Sequence, residues 1–195
     1  MGWTYTSMGR GQAGDYFKRM LTNDTEERTT ELLSGAFRGF REYYGAVKTT
    51  VKKTGESYVW GFCAMVDWRK NDAFNFGYKD MDETMGPYMF NCPNTILDLL
   101  TDTPHDNESS REWRKACRER NASILKPKDG DVIRLKNPMT FKGGWELQEF
   151  YVEKQGRRTS YYAVGSLGGK SGYNRFLLKR RNLQNAEVIA QKVKS

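Results

Sequence analysis

The feature that most constrains the fold is the two-residue periodicity of apolar side chains that begins at Tyr43. Three runs follow it, YYGAVKTTVKK, YVWGFCAMVDW and AFNFGYKD, separated by short turns at residues 54–56 and 69–72. Alternation of this kind with short turns predicts three antiparallel strands. The middle run is apolar almost throughout, so we expect the second strand to be interior and buried on both faces.

The residues before this sheet predict one strand and two helices. Residues 3–8 alternate as in a short strand, and DYFKRML begins a helix. A second helix is expected to begin at Asn23 or Asp24, because an acid stands about three residues later, as in a capping box. Apolar residues then recur at helical spacing, namely Leu33, Phe37 and Phe40. Helices packed on an antiparallel sheet make residues 1–125 a predicted α+β domain.

An acidic corner ends the third strand, in the stretch FNFGYKDMDETMGPYMFNCPNTILDLL at residues 74–100. Carboxylate oxygens are the ligands that Mg²⁺ prefers. One hypothesis is therefore a metal-dependent enzyme that acts on phosphodiesters through Asp67, Asp80, Asp82 and Glu83. The alternative, which we favour, is structural: these acids cap the coming turn or pair with Lys79 and the arginines of a helix at 109–123. On that interpretation the chain needs no metal and no other cofactor.

The run GYKDMDETMGP, followed by CP and ILDLL, resembles an uncharacterised family of bacterial accessory-genome and phage proteins. Gly2-Trp3 and a Trp-x-x-x-Cys helix with Trp113 and Cys117 extend the likeness over residues 1–125. The resemblance carries no activity. It implies mobile DNA, a bacterial cytoplasm and a role in phage–host conflict, such as inhibition of a CRISPR or restriction system.

The helix SSREWRKACRERNAS is expected to begin with a capping box formed by Ser109 and Glu112. Trp113 and Cys117 would form its buried face. Its cations would then point outward as an ordinary solvated face, namely Arg111, Arg114, Lys115, Arg118 and Arg120.

The cysteines and the histidine bear on the cellular compartment and on metal binding. Cys63, Cys92 and Cys117 are widely spaced, which indicates reduced thiols in a cytoplasm rather than a disulfide framework. Cys92 precedes a proline at a helix start, a setting that can lower the pKa of a thiol. The single histidine, His105, falls in a polar loop and argues against a zinc site. No run of about 18 apolar residues is present, so we expect no association with a membrane.

The charge is unevenly distributed along the chain. Residues 1–125 hold 17 Lys and Arg against 18 Asp and Glu, whereas residues 126–195 hold 15 against 6. A basic excess confined to the last third predicts an anionic partner, with nucleic acid the first candidate. Solubility alone is the other explanation.

The basic segment also has its own pattern, which begins after the ILKPKDG boundary at 124–130. Four or five short alternating runs predict that residues 126–195 form a small SH3-like or OB-like β-barrel. AEVIAQKVKS would be a short terminal helix or a frayed tail. The run GSLGGKS at residues 165–171 is one residue too short for a P-loop, so we expect its glycines to form either a small nest of backbone N–H groups for an anion or a hairpin tip.

Cations and aromatic rings alternate in the barrel segment, as in proteins that bind single-stranded nucleic acid. The candidate binding residues are Arg157, Arg158, Tyr161, Lys170, Tyr173, Arg175, Lys179, Arg180 and Arg181. The leading hypothesis is a non-enzymatic cytoplasmic accessory protein that binds nucleic acid or a nucleoprotein, including a complex of a bacterial defence system. Besides the metal-dependent enzyme, the remaining alternative is a protein-binding module whose partner is acidic.

Overall fold

A computed structural model describes residues 2–7, 13–69, 74–102, 106–156 and 158–191. The chain divides into two compact units, Met1–Asn121 and Ala122–Ser195. Both units are built mainly of antiparallel β-strands with few helices. Among the residues described, no helix has the length and apolarity needed to cross a membrane.

In its described residues, the first unit is a curled six-stranded antiparallel sheet with three helices. Its strands are β1 (Thr4–Thr6), β2 (Asn23–Asp24), β3 (Arg28–Arg38), β4 (Glu42–Val51), β5 (Ser57–Trp68) and β6 (Phe76–Asp82). Its helices are α1 (Ala13–Leu21), α2 (Asn94–Leu97) and α3 (Glu108–Ala122), the last of which ends at the boundary between the units. The strand order is β1-β6-β5-β4-β3-β2.

Strand β5 is interior and buries side chains on both faces, as its apolar sequence predicts. Phe62, Ala64 and Val66 lie in a core that α1 covers with Phe17. Cys63 lies in a second core on the opposite face, to which α2 and α3 contribute Ile96, Leu97, Trp113 and Cys117. The sheet is therefore sandwiched between helices, and the residues that follow β6 lie beside the α3 core.

The helix predicted after residue 24 is wrong, because residues 28–38 form β3. This strand pairs with β4 in antiparallel register from Arg28↔Val51 to Arg38↔Glu42, with one shift between Leu32 and Ser34. Pairing along a whole strand outweighs a weak local preference for helix. Of the predicted apolar stripe, only Phe37 packs against the core, whereas Leu33 is 42% exposed and Phe40, beyond β3, is 72% exposed.

The second unit is a five-stranded antiparallel sheet in the order β10-β9-β8-β7-β11. Its strands are β7 (Asp131–Thr140), β8 (Glu146–Gln155), β9 (Arg158–Val164), β10 (Lys170–Phe176) and β11 (Glu187–Gln191), with a 3-10 turn at Arg180–Leu183. Ile133, Phe150 and Val152 are at the centre of its core. The terminal helix or frayed tail predicted for AEVIAQKVKS is wrong in its described part, because β11 pairs with β7.

Candidate functional site

The acidic corner at the end of β6 is held by local hydrogen bonds. Asp82 caps the 3-10 turn Glu83–Met85, because its Oδ1 accepts from the backbone N–H of Thr84 at 2.8 Å and also from the Thr84 hydroxyl. Gly86 ends the turn in the left-handed conformation, with φ of 64°, which glycine adopts without a steric penalty. The strand end is thus fixed by its own side chains.

Glu83 is fully buried and its carboxylate is saturated by hydrogen bonds. Arg114 of α3 donates to both oxygens, at 2.6 and 2.7 Å, and the backbone N–H of Gly61 donates to Oε1 at 3.0 Å. A Cβ at Gly61 would lie 3.0 Å from the Trp113 ring, so the strand approaches α3 closely here. Glu83 is therefore a structural anchor between β5, β6 and α3.

Arg114 does not belong to a solvated face, contrary to the sequence prediction, since it is only 8% exposed. Besides Glu83, it pairs with Asp102 and Asp106, each at 3.0 Å. Burial opposes the charge on Arg114, but the hydrogen bonds to Glu83 and the nearby carboxylates outweigh burial and raise the pKa of the guanidinium. The helix is capped by Asn107, whose Oδ1 accepts from the N–H of Ser110, and not by the predicted Ser109.

The four carboxylates of the metal-dependent hypothesis do not converge. Asp80 and Asp82 pair with Ala64 and Phe62, whereas Asp67 follows Cys63 and Met65 on the alternate positions of β5 and so lies on the opposite face. Asp67 also forms ion pairs with Arg41 at 3.2 Å and Arg69 at 3.4 Å. Within the described ranges, no group of three or more His, Cys, Asp or Glu side chains is placed to hold a metal ion.

The three thiols are free and buried. Burial raises the pKa of the Cys117 thiol to about 12 and raises that of Cys92 further above its ordinary value. The pKa of Cys63 is also raised, again mainly by burial. The position of Cys92 at a helix start favours a low pKa, but the effect of burial is larger, so the pKa of this thiol is raised. His105 lies outside the described residues.

A cleft of about 470 Å³ opens beside the acidic corner, on the face of β3, β4 and β5. Thr30, Thr49 and Tyr58 are cross-strand neighbours along its floor. Arg28 and Asp82 also line the cleft, so it presents charges of both signs. It therefore does not favour a strongly anionic ligand.

In the second unit, most carboxylates are used internally. Glu149 and Glu187 pair with Arg134 at 2.9 and 3.4 Å, and Glu153 pairs with Lys170 at 3.2 Å. The two aspartates accept from backbone N–H groups, Asp131 from Lys128 at 2.5 Å and Asp129 from Lys154 at 2.7 Å. Five of the six carboxylates in residues 122–195 thus have partners inside the unit.

Lys170, a predicted binding residue, lies in a small polar cluster on the sheet. Its Nζ lies 3.9 Å from the centroid of the Tyr162 ring and bonds to Glu153. Burial opposes the charge, but the hydrogen bond that Lys170 donates to Glu153 outweighs it and raises the pKa of Lys170. Arg175 bonds to the Tyr162 hydroxyl at 3.2 Å. Lys170 is therefore partly committed to the fold.

Of the other predicted binding residues, some are buried in the core of the second unit and some are exposed at its surface. Tyr161 is 7% exposed and packs in the core of the second unit, so its ring is not open to a base. Tyr173 is 94% exposed, in the part of β10 where pairing with β9 shifts between Ser171 and Arg175. The exposed cations are Arg158, Arg175, Lys179, Arg180 and Arg181. Arg157 lies outside the described residues.

We call the exposed set Arg158, Tyr173, Arg175, Lys179, Arg180 and Arg181 the basic edge. Strand β10 is an edge strand that runs antiparallel to β9, so its C-terminal end leads toward the Arg158 end of β9. Within the described part of the chain, no carboxylate pairs with Arg158, Arg175, Lys179 or Arg181. Among the described residues, these four cations therefore have no carboxylate that offsets their charge.

Residues 104–173 match the model of a family described as a domain of unknown function (DUF6927). The match agrees with the expectation of an uncharacterised family, and it overlaps the stretch of resemblance only at residues 104–125. The comparisons with curated proteins and with solved structures found no match.

Proposed function

We propose that the protein is a non-enzymatic binding protein whose basic edge contacts the phosphates of nucleic acid, alone or in a nucleoprotein. The observation that carries the proposal is the division of charge in the second unit. Five of its six carboxylates are engaged inside the unit, whereas four cations of the basic edge have no carboxylate partner among the described residues. An uncompensated positive surface of this kind attracts phosphates and binds them in a salt-dependent way.

Tyr173 supports a single strand as the preferred form of the nucleic acid. Its ring is almost fully exposed and is flanked in sequence by Gly172, whose φ is 65°, and by Asn174. Irregular strand segments re-aim side chains away from the sheet. An exposed ring between cations can stack on an unpaired base, which duplex nucleic acid does not offer.

We further propose that the second unit is an SH3-like barrel. The last strand, β11, pairs with the first, β7, and a 3-10 turn precedes it, as in SH3-like folds. The sheet is a meander from β7 to β10. This arrangement leaves β10 and the 3-10 turn at the surface, where the basic edge lies.

The cellular setting of this proposal rests on the resemblance to accessory-genome and phage proteins. We place the protein in a bacterial cytoplasm, which the three free thiols support, since reduced thiols are usual there. A protein of mobile-element type that occupies a guide-binding or phosphate-binding surface would inhibit a defence complex without turnover.

Fluorescence anisotropy with labelled single-stranded and double-stranded DNA and RNA tests the proposal. We expect binding to single strands that weakens steeply between about 50 mM and about 200 mM salt. Absence of binding at the lower salt concentration would refute the proposal. Capture of one acidic protein, unaffected by nuclease, would then favour the protein-binding alternative.

A further inference from the structure

A cleft of about 410 Å³ lies between the second half of β7 and the 3-10 turn Arg180–Leu183. Amide side chains line it, contributed by Asn137, Asn182, Gln184 and Asn185, together with the cations Lys136 and Arg181. No carboxylate is among the lining residues that the structure describes. We call this site the amide cleft, and it differs from the cleft of the first unit in carrying only positive charge.

The amides of the cleft are open to a ligand. In the described part of the chain, no hydrogen-bond partner is present for the side chains of Asn137, Gln184 and Asn185, whereas Asn182 Oδ1 accepts from the backbone N–H of Lys179 at 2.8 Å. An amide offers both donors and an acceptor in one plane. Three such groups facing one cleft therefore match a flat ligand whose edge carries donors and acceptors.

The backbone at Asn185 also marks this site. Asn185 has φ of 56°, and no other described residue except glycine has a positive φ. Its N–H donates to the carbonyl of Ser123 at 2.8 Å, which holds the left-handed conformation in place. Asparagine adopts this conformation more readily than most residues, so the turn fixes the position of the Asn185 side chain at the cleft.

From this arrangement we propose that the amide cleft holds one unstacked nucleobase of a bound strand and reads its hydrogen-bonding edge. The inference rests on the proposed function, because Arg181 belongs to both the basic edge and the cleft and would place a phosphate at its mouth. Asn and Gln recognise base edges through paired hydrogen bonds, and a cleft of this volume accepts a single base. The protein would then prefer some bases over others, which contacts to phosphate alone do not produce.

The test compares labelled single strands of about eight dA, dC or dT nucleotides. For the wild-type protein we expect affinities that differ by at least about five-fold between two of the strands. In an Asn137→Ala/Gln184→Ala/Asn185→Gly variant we expect equal affinities and an unchanged dependence on salt. Glycine at position 185 preserves the left-handed backbone while removing the amide.

Matched controls separate this inference from the proposed function. Gln155→Ala/Gln191→Ala removes two exposed amides elsewhere in the unit and should keep the base preference. Salt-dependent binding without any base preference, or a preference that survives in the triple variant, would overturn the amide cleft alone. No binding by the wild-type protein would overturn both proposals. If the triple variant fails to fold, Asn137→Ala/Asn185→Gly removes the two exposed amides of the cleft and should reduce the base preference.

Discussion

The guanidinium of Arg114 donates from Nε and Nη2 to the two carboxylate oxygens of Glu83, at 2.6 and 2.7 Å. This buried pair joins α3 to the end of β6, across a separation of 31 residues. The sequence predicts that the acids after β6 pair with arginines of this helix, as Glu83 does, but it wrongly places Arg114 itself on a solvated face. The pair gives Glu83 a structural role at the end of β6.

Loss of one partner of this pair should be strongly destabilising. Removing Glu83 or Arg114 leaves a buried charge uncompensated, which costs about 3–5 kcal/mol. We expect Glu83→Ala and Arg114→Ala to lower the free energy of unfolding in urea by that amount. Arg118→Ala is the matched control, because its pair with Asp98 is exposed and worth at most about 1 kcal/mol. Equal losses in the three variants would contradict the structural role of the pair.

Stability should fall in alkaline solution because of the buried thiols. Burial raises the pKa of Cys117 from 9.0 to about 12, so the folded state keeps a proton that the unfolded state releases above pH 9. The thiol therefore contributes its full stability below pH 9 and loses it as the pH rises toward 12. Between these two pKa values, each such thiol lowers the free energy of unfolding by up to about 1.4 kcal/mol for every unit by which the pH rises.

Urea unfolding of wild-type protein and a Cys117→Ala variant measures this effect. We choose about pH 8, 9, 10 and 11, because the pKa of Cys117 rises from 9.0 to about 12 on folding. The free energy of unfolding should fall less steeply with pH in the variant, by the contribution of one thiol. The cavity that Cys117→Ala leaves lowers the stability of the variant at pH 8 but does not change this slope. An identical decline in both proteins would show that Cys117 ionises equally in the folded and unfolded states.

Tyr173 should contribute to binding but not to folding. Its ring is 94% exposed, so we expect Tyr173→Ala to change the free energy of unfolding by no more than about 0.5 kcal/mol. Loss of a stacked base costs about 1–3 kcal/mol, which corresponds to about five- to 150-fold weaker binding of a single strand. Tyr173→Phe keeps the ring and should bind as wild type. Wild-type affinity in Tyr173→Ala would remove the stacking role.

Much of the fold follows from periodicity, and the failures have local causes. The alternation in residues 43–82 and 131–164 predicts β4 to β9, because one face of each strand meets a core. The apolar spacing of Leu33, Phe37 and Phe40 imitates a helix although Leu33 and Phe40 are exposed, and β11 is too short for its pattern to be distinctive. In both segments, pairing with another strand of the sheet determines the strand conformation.

The sites were less predictable, because side-chain contacts between distant segments leave no periodic signal. Charge asymmetry indicates the basic edge, but nothing in the local sequence separates buried Tyr161 from exposed Tyr173 before the bulge in β10 is known. Asn137 and Asn185 are 48 positions apart, and only the pairing of β7 with β11 brings them to one cleft. The amide-rich segment NLQN at residues 182–185, which follows a cationic run, is a signal that could have pointed there.

The most direct test of the central claim is the salt dependence of single-strand binding in an Arg158→Ala/Lys179→Ala variant. Each phosphate contact to a single strand adds about 0.7 to the slope of log affinity against log salt, so the slope should become shallower by about 1.4. Lys142→Ala/Lys154→Ala removes the same charge from other exposed positions of the unit and should leave the slope nearly unchanged. Equal slopes in the wild-type protein and the Arg158→Ala/Lys179→Ala variant would contradict the assignment of phosphate contacts to the basic edge.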